Sequence, residues 1–343
     1  MKILALTPAG AVLARRRCQG LPGASLCLPR TQAREPGDQA FFRLSAAFRE
    51  AFVQSENLVC IMAAGIVVRG IAPYLKGKDS DPAVVVVDEA GRFAISLLSG
   101  HLGGANELAR QVARILGGAP VITTATDVQG LPALDLLAVE HDLTIENLPE
   151  VRTISMALLE GRPIRVVDPD SYLAEMGSAY PERFAPEPDL DLALHAPGPT
   201  EYVGFRERPW PPEWLRLRPR NLVAGMGCHK GTPTEELVEF IKQTFKQEEL
   251  SLLSLKALAT IEAKKEEPGL RMAARSLGVE FLLFTAMELQ EIPVPNPSPR
   301  VARHMKVASV SEAAALKAGG VELIVTKRKA ANATLAVARV NWR

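Results

Sequence analysis

The sequence predicts an α/β protein with two three-layer α/β/α domains joined by a small acidic, proline-rich middle region. Three observations lead there. Short apolar runs of strand length alternate with longer stretches of helical periodicity at both ends of the chain. The 343 residues exceed what one hydrophobic core commonly spans. Charge and proline also segregate: residues 1–139 carry +3, residues 140–218 carry −7 and residues 219–343 carry +5, and nine of the 26 prolines fall between positions 181 and 219. The expected division is an amino-terminal α/β domain over 1–139, a middle module and linker over 140–219, and a carboxy-terminal α/β domain over 220–343.

The elements follow in order. Residues 2–7 and 57–63 read as strands, and 41–54 between them as a helix. Two β-rich runs, 83–88 and 92–98, are joined by Glu89-Ala90-Gly91 as a hairpin or tight strand return. Leu108, Val112, Ile115 and Leu116 recur at helical spacing until Gly117-Gly118 stops the helix. Residues 120–124 then read as a short buried strand. Residues 140–180 are expected to form a small module, and 181–219 an extended linker or a cover. From 221 the alternation resumes: strand 221–225, helix 234–246, strand 257–261, helix 269–277, strand 281–284, helix 311–318, and strands 322–326 and 334–339.

Composition excludes several classes of function. Apolar residues make up 47% and charged residues 23%, ordinary for a globular chain, which sets aside collagen-like, disordered and coiled-coil readings. The longest strongly apolar stretch, 58–68, is too short to cross a bilayer. Residues 1–14 run into Arg15, Arg16 and Arg17 rather than a small-residue cleavage site, so a secretory signal is not expected. Cys18, Cys27, Cys60 and Cys228 form no C-x-x-C pair, which suits a reducing cytoplasm. Aromatics are only 5%, and no basic run is interleaved with stacking residues, so neither nucleic acid nor membrane is expected as a partner. Two cationic ends favour an anionic ligand or an electrostatic domain contact.

Four segments carry candidate chemistry. In Ser99-Gly100-His101-Leu102-Gly103-Gly104-Ala105-Asn106-Glu107 a strand feeds a glycine-rich turn onto a helix, where backbone amides can meet an anion. The bland alternative is a tight connection with His101 hydrogen-bonded in the core and Glu107 paired with Arg110. Thr123-Thr124-Ala125-Thr126-Asp127 leaves a strand at the end where open α/β sheets place ligands. The turn at Ala63-Ala64-Gly65 is followed by Arg69, Lys76 and Lys78, which can face ligand carboxylates or simply solvent. The fourth runs from Gly225 through Gly227, Cys228, His229, Lys230 and Gly231 to Thr232. Its G-x-G-x-x-x-G spacing is one residue too long for a dinucleotide fingerprint, which disfavours a nucleotide-dependent oxidoreductase. Thr232 is expected as an N-cap, with Pro233 at the first helical position and Glu235 completing a capping box. Lys264 follows another strand end and can face the cleft of His229 and Lys230, while Cys228 reads as a buried inert thiol.

The runs GIVVRGIAPYLKGKDSDPAVVVVDEAGRF, SLLSGHLGGANELA and VITTATD resemble the amino-terminal domain of the CbiG-type cobalt-precorrin 5A hydrolases. GMGCHKGTPTEEL, TIEAKKEEPGL, VASVSEAAAL and LIVTKRK resemble the family's carboxy-terminal domain, in the expected order. His229 stands where the family commonly carries a basic residue, and Ala63-Ala64-Gly65 replaces a small-polar turn.

The resemblance implies three-layer α/β/α domains and a role in anaerobic cobalamin biosynthesis. The reaction would open the ring-A δ-lactone of a cobalt corrinoid with water and release C20 as acetaldehyde, giving cobalt-precorrin 5B. A non-catalytic carrier of corrinoid intermediates is the alternative. No cofactor is implied, since cobalt arrives within the substrate, and the dispersed histidines His101, His141, His195, His229 and His304 lack ligand spacing for a protein metal site. Lactone opening needs an activated water, oxyanion stabilisation and acid–base groups. His101, Glu107 and Asp127 are the candidate bases, His101 first for its ordinary pKa, with amides of Gly103 and Gly104 near the oxyanion. Arg69, Lys76, Asn106, Thr124, Thr126, Gly227, His229, Lys230, Gly231, Thr232 and Lys264 are expected to bind substrate, those of the carboxy-terminal loop as a carboxylate site. Other corrin-pathway enzymes are candidate partners, and the oligomeric state is left open, a homodimer among the options.

Overall fold

A computed structural model describes the chain except residues 18–19, 22, 78–79, 102, 300–305 and 342–343. Cys18, Lys78, Leu102 and His304 thus lie outside the described residues. The chain divides into two compact units, Met1–Leu136 and Leu137–Arg343.

The first unit carries β1 (Lys2–Ala5), α1 (Pro8–Arg17), β2 (Ser25–Pro29), β3 (Gln39–Phe41), α2 (Leu44–Gln54), β4 (Asn57–Ile61), α3 (Ala64–Ile71), β5 (Ala83–Val87), β6 (Phe93–Leu98), α4 (Ala105–Leu116), β7 (Ala119–Val121) and α5 (Ala125–Val128). Its seven-stranded sheet has the order β3-β2-β1-β4-β5-β6-β7. The pairings are parallel except β5 with β6. A central strand buried on both faces must be apolar throughout, and in β4 Leu58, Val59, Cys60 and Ile61 are all buried. Alternate side chains divide between the faces: Val59 and Ile61 pack with Ala11, Ala14, Leu108 and Val112 of α1 and α4, and Leu58 and Cys60 with Phe48, Phe52, Val67 and Ile71 of α2 and α3. That is the expected three-layer arrangement. The expected hairpin at 89–91 forms, closed by Gly91 at φ +68 with its N–H donating to Asp88 O at 2.9 Å.

Two expectations in this unit need correction. The helix expected over 41–54 begins only at Leu44, because Phe41 pairs as the end of β3. The buried strand expected over 120–124 is a three-residue edge strand whose Ala119 and Pro120 are exposed. Proline at 120 lacks an N–H for a further ladder, which suits an edge.

α6 (Leu134–Glu140) leads into the second unit, which contains two sheets. The first is built from β8 (Leu143–Ile145), β9 (Ile164–Val167), β10 (Phe184–Pro186), β11 (Thr200–Val203) and β12 (Leu215–Pro219), in the order β10-β9-β11-β12-β8, with α7 (Pro149–Leu159), α8 (Ala174–Ala179) and α9 (Leu190–His195) in the connections. Residues 181–219 are therefore not a linker or cover: they supply three of the five strands. The prolines sit at strand ends and in the β11–β12 connection, where the Trp210 ring packs 4.0 Å from Tyr202 and 5.9 Å from Trp214.

The second sheet has the order β15-β14-β13-β17-β16, from β13 (Leu222–Cys228), β14 (Leu255–Ile261), β15 (Glu280–Phe284), β16 (Gly320–Lys329) and β17 (Ala333–Val340). α10 (Thr234–Gln247) and α11 (Pro268–Leu277) pack on one face, α12 (Ala286–Gln290) and α13 (Val310–Lys317) on the other. Gly225 is needed for contact rather than for a ligand: a Cβ there would lie 1.9 Å from Ser311 O on α13. Among the described residues no helix is long and apolar enough to cross a membrane.

Candidate active site

The glycine-rich turn after β6 folds back on itself through backbone bonds. Ala105 N–H donates to Ser99 O at 3.0 Å, Asn106 N–H to Gly100 O at 3.0 Å, and Gly104 N–H to His101 O at 2.7 Å. Gly104, at φ +83, occupies the left-handed region just before α4. At Gly103 a Cβ would come 2.3 Å from Ser99 Cβ. The amide of Gly104 is thus committed to the turn, and the oxyanion role expected for it is not available there. What the turn presents instead is the His101 side chain.

Two segments converge on that imidazole. Its Nε2 lies 3.2 Å from Asp127 Oδ2 and 3.3 Å from Thr126 Oγ1, both delivered by the short α5. Its Nδ1 lies 3.6 Å from Asp135 Oδ1 in the first turn of α6, a charge contact just beyond hydrogen-bond reach. Asp127 is fixed in turn, with Oδ2 accepting from Asn106 Nδ2 at 2.9 Å and Oδ1 from the Arg110 guanidinium at 2.7 Å. Asn106, buried on α4, also donates to Thr124 Oγ1 at 3.2 Å. The side chains of His101, Asp127 and Asp135 are 22%, 19% and 15% exposed, so the cluster is sheltered yet reachable.

The electrostatics bias the imidazole toward its charged form. Asp135 beside Nδ1 is the largest influence raising the His101 pKa above its ordinary value; burial opposes it, and Asp127 adds to the rise. For Asp135, burial pushes upward, but His101 and the Leu136 backbone N–H outweigh it and hold the carboxyl below its ordinary range. A rise in that direction favours proton donation by His101 more than its ordinary pKa does.

Of the expected catalytic residues, the structure brings His101 and Asp127 together, with Asn106, Thr124 and Thr126 around them. Glu107 stands apart: its carboxylate is 70% exposed and its ion pair is with Arg110 at 3.5 Å. Asp135 and the anchoring role of Arg110 were missed. No local spacing announces them, because α6 follows from a separate turn. Arg69 and Lys76 are exposed, and Lys76 N–H donates to the Asp81 carboxylate at 3.0 Å; among the described residues neither contacts the His101 cluster.

In the second unit, Gly227, His229, Lys230 and Lys264 line one cavity of about 730 Å³. The backbone there differs from the expected anion cradle. His229 N–H donates to Asn332 O at 2.8 Å and Gly231 N–H to Glu267 Oε1 at 2.6 Å, so both amides are already engaged. Nor does the expected capping box form: α10 starts at Thr234 after Pro233 with no side-chain cap, and Thr232 Oγ1 donates to His229 O at 2.9 Å. Burial pushes the Cys228 thiol up, consistent with an inert cysteine. Among the described residues no group of three or more His, Cys, Asp or Glu side chains could hold a metal ion.

Comparison with known proteins assigns all three regions to one family. Residues 46–127 match the model of the cobalamin synthesis G N-terminal domain, 132–219 the cobalamin biosynthesis central region, and 222–338 the cobalamin synthesis G C-terminus. Cobalt-precorrin-5A hydrolase of Salmonella typhimurium is 38% identical over 323 residues, covering 91% of this chain and 90% of that protein. Cobalt-precorrin-5A hydrolase of Priestia megaterium is 37% identical over 300 residues, covering 85% and 80%. The crystal structure of a putative cobalamin biosynthesis protein G homolog from Sulfolobus solfataricus is 21% identical, covering 99% of this chain and 97% of that one with a TM-score of 0.36. With 37–38% identity over most of both chains, and a match in each of its three regions in order, the protein belongs to the CbiG family of cobalamin biosynthesis.

Proposed function

We propose that the protein is a cobalt-precorrin-5A hydrolase that opens the ring-A δ-lactone of its cobalt corrinoid substrate and releases C20 with its methyl group as acetaldehyde. The relatives' activity supports the reaction. The observation that carries the site is His101 held between Asp127 and Asp135, 3.2 and 3.6 Å from its two ring nitrogens.

Water attacks the lactone carbonyl carbon and gives up one proton to solvent, and the ring oxygen that carried C20 leaves as a hydroxyl after gaining a proton. His101, whose charged form Asp135 and Asp127 favour, donates that proton and is left as a neutral imidazole. Asp127 holds the ring through Nε2 and is itself anchored by Asn106 and Arg110, so its carboxylate keeps its place as the imidazole changes charge. The neutral imidazole then takes up the new hydroxyl's proton, the bond from C20 to the macrocycle breaks with its electron pair kept by the macrocycle, and acetaldehyde departs. Cobalt belongs to the substrate throughout. A reducing cytoplasm suits the free thiols of Cys27, Cys60 and Cys228.

The test is anaerobic incubation of the purified protein with cobalt-precorrin 5A, following acetaldehyde and product mass. Acetaldehyde with the mass of cobalt-precorrin 5B is expected. Tight binding without acetaldehyde would establish the carrier reading instead.

A further inference from the structure

The glycine-rich turn that presents His101 contains one residue out of keeping with the rest. Residues 99–104 read Ser-Gly-His-Leu-Gly-Gly, so glycine stands at three of the six positions. The backbone turns left-handed at Ser99, φ +59, as it does at Gly104, φ +83. A side chain in that conformation crowds the following carbonyl, a cost that glycine escapes. The sequence nevertheless holds a serine where β6 ends and the turn begins. Glycine clears space for it, because a Cβ at Gly103 would lie 2.3 Å from Ser99 Cβ. A costly backbone conformation kept beside a reacting group points to a use for the side chain.

The Ser99 hydroxyl donates to Asp81 O at 2.9 Å. Asp81 lies just ahead of β5, and the ladder between the antiparallel β5 and β6 stops at Val84 opposite Leu98. The hydroxyl therefore carries the pairing beyond its last backbone rung and ties the start of the turn to the entry of β5. The anchor is itself fixed. Asp81 is 8% exposed, and its carboxylate accepts from the N–H groups of Lys76 at 3.0 Å and Gly77 at 3.1 Å. Its own N–H donates to Gly77 O at 2.9 Å.

On its other side the turn is bonded to the start of α4, where Ser99 O and Gly100 O accept from the N–H groups of Ala105 and Asn106. The same helix carries the Asn106 and Arg110 side chains that fix Asp127. Without the hydroxyl the turn would keep its bonds to α4 and lose its hold on β5. The groups that face the imidazole come from other elements: Asp127 and Thr126 from α5 at 3.2 and 3.3 Å, and Asp135 from α6 at 3.6 Å. These contacts therefore depend on where the turn sets the ring. A displacement of about 1 Å is enough to break a hydrogen bond and to cost about 10²-fold in rate.

We propose that Ser99 is a positioning residue for lactone opening: its hydroxyl, bonded to Asp81 O, holds the 99–104 turn in the conformation that sets the His101 ring between Asp127 and Asp135. Its effect on rate rests on the hydrolase reading above, whereas its hold on the imidazole is a matter of geometry and is measured without substrate. Ser99 acts through His101 rather than on the corrinoid.

The test compares the full-length protein with Ser99→Ala, which removes the hydroxyl and keeps the costly Cβ, and with Ser99→Gly, which removes both. The His101 pKa is read by proton–carbon NMR of histidine-labelled protein, its signal assigned by its absence from His101→Gln. In both Ser99 variants it should fall toward its ordinary 6.5, because the ring drifts from the carboxylates that raise it. Acetaldehyde release from cobalt-precorrin 5A should show kcat lower by about 10–100-fold, with KM within about twofold of the parent. Urea unfolding should find Ser99→Gly at least as stable as Ser99→Ala, since glycine takes the left-handed conformation freely. A slow but stable Ser99→Gly thus separates positioning from folding. Asp81→Asn should lower kcat on its own but add nothing in the Ser99→Ala background, because both changes act through one bond. An unchanged His101 pKa in both Ser99 variants, or a kcat within about twofold of the parent, would overturn the proposal. So would an Asp81→Asn effect that adds in full. A parental protein that releases no acetaldehyde, with a His101 pKa that still falls in the Ser99 variants, would refute the hydrolase reading and leave the hold of Ser99 on the imidazole standing.

Discussion

Replacing Asp135 by asparagine tests the electrostatic core of the active-site argument. The substitution keeps the side chain's size and removes one charge 3.6 Å from His101 Nδ1. At an effective dielectric of about 20, that contact amounts to about 5 kcal/mol of bare Coulomb attraction. The two side chains are 22% and 15% exposed, and solvent competition reduces the net value to about 1–2 kcal/mol, the scale of a charge-assisted contact. Because Asp135 raises the His101 pKa, activity that needs the imidazolium persists at low pH and is lost as pH rises through the folded value. Without Asp135 the alkaline limb of kcat/KM, followed by acetaldehyde release, should move to lower pH. On that limb the rate should drop by about tenfold, the equivalent of 1.4 kcal/mol. Urea unfolding should show a matching window. The Asp135 contribution is present above its ordinary 3.8 and the His101 contribution below its ordinary 6.5, so the variant's stability deficit should be largest between these values and shrink above them. An alkaline limb that stays put or moves to higher pH would refute the reasoning.

Further outcomes follow from the same structure. His101→Gln should lower single-turnover lactone opening by about 10²–10⁴-fold, while Glu107→Gln, at an exposed position outside the cluster, should remain within about twofold of the parent; the reverse ranking in a quench assay would relocate the proton donor. Gly225→Ala would set a methyl 1.9 Å from Ser311 O, and chemical denaturation should show a loss of about 3 kcal/mol or more as α13 is pushed off β13. Glu201 on β11 is fully buried, neither carboxylate oxygen has a hydrogen-bond partner among the described residues, and burial, with Asp168 second, pushes its pKa up to about 8. Its raised value makes stability fall as pH rises from about 4.5 toward 8. Glu201→Leu should therefore flatten that slope and stabilise the protein at neutral pH by about 1–3 kcal/mol, as urea titrations across that range would reveal.

Much of the outer architecture was legible because its signals are local. The β5–β6 return is written in Glu89-Ala90-Gly91, where glycine permits the positive φ that closes the turn. The strand, glycine turn and amphipathic α4 are adjacent in sequence, so the position of His101 at a strand end could be read directly, and Asp127 likewise from the end of β7. The middle sheet was hidden because β8, β9, β10 and β11 are three or four residues long, too short to display a period, and prolines at their ends imitate a linker.

Other features were decided only by tertiary structure. Asp135 reaches His101 because α6 returns to the turn after β6, and the sequence between them has no period that encodes the meeting. Lys327 joins His229 and Lys230 because β17 pairs between β13 and β16, so a hairpin about a hundred residues downstream lies beside the β13 loop. The glycine loop's chemistry also turned on distant groups: the Asn332 carbonyl and the Glu267 carboxylate claim amides that looked available to a ligand. Residue types and turns determined which groups could do chemistry. Chain crossings determined which groups meet, and hence that the His101 pKa is shifted upward, since that shift comes from carboxylates within 4 Å in space and not from its neighbours in sequence.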